Sequence, residues 1–151
     1  MLRASTRPPR RGQGGHLRSY AKSFAAAATA PSRARAFTDE VLVSWAAPAE
    51  CRDDVRLIVS ELVANAVRGS HGVRVAIRRL PTRIRIEIRD ALSGVPSPSN
   101  PGPDAENGRG LLLVQRLSAG WGVTAHRSGG KTVWCEVSTD RSASSRPTPA
   151  R

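Results

Sequence analysis

Val73-Arg-Val-Ala-Ile-Arg-Arg-Leu80-Pro81-Thr82-Arg83-Ile-Arg-Ile-Glu-Ile-Arg-Asp90 reads as a β-hairpin. Arg83 to Arg89 alternates strictly between polar and apolar residues, the pattern of a strand that buries one face. Leu80-Pro81-Thr82 supplies the turn. Before the hairpin, Asp53 to Val67 is helical, because Val55, Val59, Leu62 and Ala66 recur at helical steps and form one apolar stripe. A further helix is expected from Ser32, which could cap it, to Trp45, entered from a strand in the run Phe24 to Ala30. After the hairpin, Leu111 to Leu117 is a short helix so apolar that it is expected to be largely buried. Strands Trp121 to His126 and Lys131 to Ser138 flank a turn at Ser128-Gly129-Gly130. Hairpin-linked strands with helices grouped apart predict an α+β two-layer sandwich, with the helices on one face of a mixed, mainly antiparallel sheet. Trp45, Trp121 and Trp134 are expected in the core.

Chemistry gathers at five points along this frame. Glu61 and Asn65 lie one helical turn apart on the shoulder of the apolar stripe. There an amide oxygen can ligate a hard cation while a carboxylate polarises a hydroxyl; the same pair also suits a solvated helix edge. Asp90 ends its strand, where an ionised carboxylate can accept from an exocyclic amine or cap the following turn. Gly94 follows, and then Val95 to Asn107, with four prolines, one glycine and no period. A connection of that length suits a lid or a disordered segment. Gly108-Arg109-Gly110 next precedes Leu111. A glycine-flanked helix start presents backbone N–H groups to phosphate, although an ordinary loop would read the same way. Gly130-Lys131-Thr132 only imitates a phosphate-binding loop: position 125 is Ala where that motif needs Gly, and a strand follows instead of a helix.

The order of these points resembles the GHKL superfamily of histidine-kinase-like ATPases, and most closely the small anti-sigma-factor serine/threonine kinases of Gram-positive bacteria. Glu61 to Ala66 resembles the N box, Asp90 to Pro96 the G1 box, Gly108 to Leu111 the G2 box and Lys131 to Trp134 the closing strand. The similarity covers residues 23 to 138. It implies the Bergerat-type α/β sandwich, ATP and magnesium as ligands, and a regulatory kinase that phosphorylates an antagonist protein, sequesters a sigma factor, or does both. The alternative is a non-catalytic nucleotide-binding module that holds a protein partner. By resemblance Glu61 is the base, Asn65 the magnesium ligand and Asp90 the reader of the adenine amine. Thr132 supports the adenine, and Gly94, Gly108, Arg109, Gly110 and Leu111 complete the nucleotide site. One departure stands out: Leu92 occupies the position of the first glycine of the G1 box. No phospho-accepting His with a dimerising helical pair accompanies the boxes, which argues against a complete histidine kinase. A homodimer is left open.

At 151 residues the chain suits one domain with a sizeable core. Residues 1 to 31 hold six basic and no acidic side chains, so they supply +6 of the formal net charge of +12. Basicity is therefore concentrated outside the domain, in an expected disordered arm over residues 1 to 22 and, less so, in a tail over residues 139 to 151. Few aromatics accompany the basic residues, which argues against nucleic acid as a partner. Phe24 to Ala30 lacks Leu, Ile and Val, too little for a secretory core, and no run approaches membrane-spanning length. Cys51 and Cys135 have no metal-type spacing and fit reduced thiols of a cytoplasmic protein. His71 stands alone and is given no role.

Overall fold

The computed structural model describes residues 18–90 and 105–140, without the side chains of residues 105–109. Five strands and three helices follow one another: β1 Ser19–Ala25, α1 Ala30–Ser44, α2 Ala49–Val67, β2 Gly72–Arg79, β3 Arg83–Asp90, α3 Ala105–Leu117, β4 Gly120–Ala125 and β5 Lys131–Ser138. The strands form one sheet in the order β1-β2-β3-β5-β4, every neighbouring pair antiparallel. This is the expected α+β sandwich, with an antiparallel sheet and the helices against one face.

Alternation in the central hairpin builds the core. Val73, Val75 and Ile77 of β2 and Ile84, Ile86 and Ile88 of β3 are all buried, and they pair across the ladder as Val75 with Ile88 and Ile77 with Ile86. Cys135 and Val137 extend this inner face onto β5 opposite Ile86 and Ile84. Over it lies α2, whose Val55, Ile58, Val59, Leu62 and Val63 are buried and which touches β2, β3 and β5 as well as both other helices. Each fully buried Val or Ile side chain contributes roughly 1.5–3 kcal/mol of transfer free energy, so this interface is the main stabilising layer.

Several boundaries differ from the sequence expectation for identifiable reasons. The first strand spans Ser19–Ala25, because Tyr20, Lys22 and Phe24 register against Ile77, Val75 and Val73. It therefore takes in residues expected in the basic arm, while residues 1–17 lie outside the described part. Most of the alanine run instead leads into α1, which starts at Ala30 with Pro31 in its first turn, a position where proline costs no hydrogen bond. Ser32 is accordingly inside the helix, donating to the Thr29 carbonyl at 2.9 Å, and Thr29 is the N-cap. At the other end of α1, Ala46 adopts φ 53°, with its N–H on the Val43 carbonyl and that of Ala47 on the Leu42 carbonyl. That bonding pattern is a Schellman closure without its usual glycine.

Two expectations about burial are corrected. Leu111 and Leu112 of α3 are 37% and 53% exposed, and of the described hydrophobic side chains of that helix only Val114 is fully buried. Of the tryptophans only Trp45 is fully buried, at 3%, whereas Trp121 on the edge strand β4 is 37% exposed and Trp134 lies half-buried on the outer sheet face. Cys51 and Cys135 are buried free thiols, pushed up to about 11 and about 12 chiefly by that burial.

Candidate functional site

Helical periodicity puts Glu61 and Asn65 on one edge of α2, both half-buried. What faces them is Gly110. A Cβ built on Gly110 would lie 2.6 Å from Asn65 Nδ2 and 3.8 Å from Glu61 Cβ, so the α3 backbone rests directly against this pair. A side chain at this position would have to displace the Asn65 amide from where it stands. The structure thus brings Gly110 against a pair, Glu61 and Asn65, that lies more than forty positions earlier in sequence. No hydrogen bond from another described residue ties down the Glu61 carboxylate or the Asn65 amide. Both polar heads are left available to a ligand.

The glycine-flanked helix start is not where it was expected. α3 begins at Ala105, so Gly108, Arg109, Gly110 and Leu111 lie within the helix. By the helical bonding pattern the Gly110 N–H is directed at the carbonyl four residues earlier. The lid expected over residues 95 to 107 accordingly yields its last three residues to the helix. Of Gly108 and Arg109 only the backbone is described, and Gly94 and Leu92 lie outside the described residues.

Asp90 closes β3 opposite Val73, on the inner face with Ile88. It is 7% exposed and has no hydrogen bond or ion pair to its carboxylate among the described residues. Burial raises its pKa, and the charge of Lys131 partly opposes that rise. Its oxygens still reach solvent, so water or an entering ligand supplies the donors that the described residues do not. That is a fit for the amine of a base entering between sheet and helices.

Thr132 does not join Asp90. Its register partner is Arg89, which alternates to the outer face, and the Thr132 hydroxyl lies 2.7 Å from His126 Nε2. The β5 residue whose parity matches Asp90 is Lys131, in step with inward Val133 and Cys135. Lys131 was missed because its position suggested a phosphate-loop imitation; the alternation of Lys131, Val133, Cys135 and Val137 was the signal that could have found it.

Whether these residues suit ATP and magnesium follows from the donor set. Among the described residues no group of three or more His, Cys, Asp or Glu side chains could cage a metal ion. Magnesium usually takes one or two protein oxygen ligands and fills its shell with phosphate oxygens and water, a pattern that an amide oxygen such as that of Asn65 beside a triphosphate would fit. Among the described residues no helix is long and apolar enough to cross a membrane.

No curated protein sequence matches the chain. A family model does, over residues 24–136, from the end of β1 into β5, and it contains Glu61, Asn65, Asp90 and Gly110. The chain belongs to the family of the histidine kinase-like ATPase domain.

Proposed function

We propose that the chain is an ATP- and magnesium-dependent protein serine/threonine kinase of the anti-sigma-factor type, which phosphorylates an antagonist protein, sequesters a sigma factor, or does both. The observation that carries this reading is the Glu61–Asn65 edge of α2 set against Gly110 of α3. Asn65 would hold magnesium together with phosphate oxygens. The ion would neutralise charge on the transferring phosphoryl group. Glu61 would accept the proton of the substrate hydroxyl as its oxygen bonds to the γ-phosphorus and ADP departs. Asp90 would accept from the adenine amine, with Lys131 favouring the ionised form that makes it a pure acceptor.

A second reading, a nucleotide-dependent binding module without catalysis, is favoured by one observation. Gly110 sits in a continuous helix, where its N–H is engaged by the helix itself. Phosphate contact at that point then requires α3 to unwind at its start.

Phosphotransfer from labelled ATP to purified antagonist proteins separates the two readings. Glu61→Ala removes the base and spares the metal ligand. It should leave ATP affinity within a few-fold while lowering transfer by roughly 10²-fold or more. Asn65→Ala should weaken both. Full activity in Glu61→Ala would reduce Glu61 to a solvated helix edge, and ATP-dependent sigma-factor binding without any transfer would establish the binding module.

A further inference from the structure

All three helices pack on one face of the sheet, and the outer face carries its own charge pattern. Register places Ser23, Arg74, Arg89, Thr132 and Thr124 in one row across all five strands. Every member is a hydrogen-bond donor and none is an acid. Arg74 and Arg89 are direct cross-strand partners and both are exposed. Like charges placed so are destabilising in a sheet. Four residues along β2 from Arg74, and so about 13 Å away, Arg78 is exposed in the same outward parity. Between them lie Ala76 and its β1 partner Ala21, a small floor bordered on β3 by Glu87, the other partner of Ala76.

The acids on this face cannot answer these cations. Glu136 is held by Arg83 at 2.9 Å and Arg85 at 3.1 Å, and Glu87 by Arg85 at 2.8 Å. Arg83 and Arg85 hold the Glu136 carboxyl below its ordinary range. Arg74, Arg78 and Arg89 have no carboxylate partner among the described residues.

We infer that the outer sheet face around Arg74, Arg78 and Arg89 is a docking surface for an acidic segment of a partner protein. Charge complementarity selects the occupant. A second copy of this chain on the same face would set three arginines against three arginines, in a molecule of net charge +12. Nucleic acid would be expected to use an open aromatic on such a face. Trp134, which supplies the aromatic ring of the Arg85 pair on this face, is not open: Arg85 covers one side at 4.2 Å, and the ring lies close enough to Gly122 that a Cβ there would meet it at 2.8–2.9 Å. An acidic segment laid across the alanine floor would satisfy guanidiniums on both sides. This surface is on the opposite face of the sheet from Glu61, Asn65 and Asp90, and the inference does not depend on the kinase reading.

The test uses the full chain and two labelled probes, a 16-residue Asp/Glu-rich peptide and a 16-nucleotide oligothymidine, read by fluorescence anisotropy at about 0.15 M salt, where long-range attraction is screened. Three proteins are compared with the parent: Arg74→Ser/Arg89→Ser, Arg74→Lys/Arg89→Lys, and a form with Arg3, Arg7, Arg10 and Arg11 changed to Ser. Expected are peptide binding weakened about tenfold or more by the serine pair, partial retention with the lysine pair, and little effect of the arm changes. Thermal unfolding of the serine pair should be no lower than the parent, since a repulsive pair is removed. Unchanged peptide binding in the serine pair overturns the inference. So does oligothymidine binding that is tighter than peptide binding and equally sensitive to the pair, and so does sedimentation showing a dimer that the serine pair dissociates.

Discussion

Gly110→Ala sets two magnitudes against each other at the site. The new Cβ would stand 2.6 Å from Asn65 Nδ2, closer than any ordinary contact, so either the amide rotates away or α3 moves off α2. Overpacking of this kind costs about 1–3 kcal/mol, while replacing Gly by Ala in a helix interior returns up to about 1 kcal/mol. The net destabilisation is therefore about 0–2 kcal/mol, or at most some 8 °C in the unfolding midpoint of a chain this size. Nucleotide binding should suffer more than the fold, because the atom displaced is the proposed magnesium ligand. Thermal unfolding with and without magnesium-ATP reads both effects. The expected result is a modest fall in the apo midpoint with most of the ATP-induced rise lost. Gly69→Ala is the control, since nothing lies within 4 Å of its added Cβ. An undiminished ATP-induced rise in Gly110→Ala would refute the contact's role.

Three further outcomes follow from particular residues. Asp90 has a pKa raised by burial, so the folded state binds its proton more tightly than the unfolded chain. Stability is then lost as pH rises from the unfolded carboxylate value to the folded one, and the charge remains a cost above both. Asp90→Asn should match or exceed the parent in stability at neutral pH, the gap closing as pH falls through that window in urea titrations. Ala46→Gly relieves a left-handed residue worth about 1–2 kcal/mol and loses about 0.4–1 kcal/mol to unfolded-state entropy, so a rise of up to about 1.5 kcal/mol is expected in the same assay. A clear fall would show that the α1 closure is not strained at Ala46. In phosphotransfer, Glu61→Ala should lose turnover and Asn65→Ala should lose turnover and binding together.

What could be read from sequence was whatever depends on period. Ile84, Ile86 and Ile88 announced a buried strand face, and Val55, Val59 and Leu62 a helix stripe, because those spacings are fixed by local geometry. That Glu61 and Asn65 share one helix edge was legible for the same reason. Parity across strands was not, since it depends on register: pairing Arg89 with Thr132 turned Thr132 outward and Lys131 inward. The start of α3 was obscured by the prolines before Ala105, which hid a short helix-forming stretch. Exposure of Trp121 reflects the position of β4 at the sheet edge, a tertiary fact with no local signature.

The central claim is that Asp90, Asn65 and Glu61 form one ATP site between the sheet and α2, and calorimetric titration of the full chain tests it most directly. Magnesium-ATP is predicted to bind at one site, GTP more weakly because its exocyclic oxygen cannot donate to Asp90, and Asp90→Asn to lose most of the affinity while remaining folded. No heat of binding up to millimolar ATP, or equal affinity in Asp90→Asn, would contradict the account.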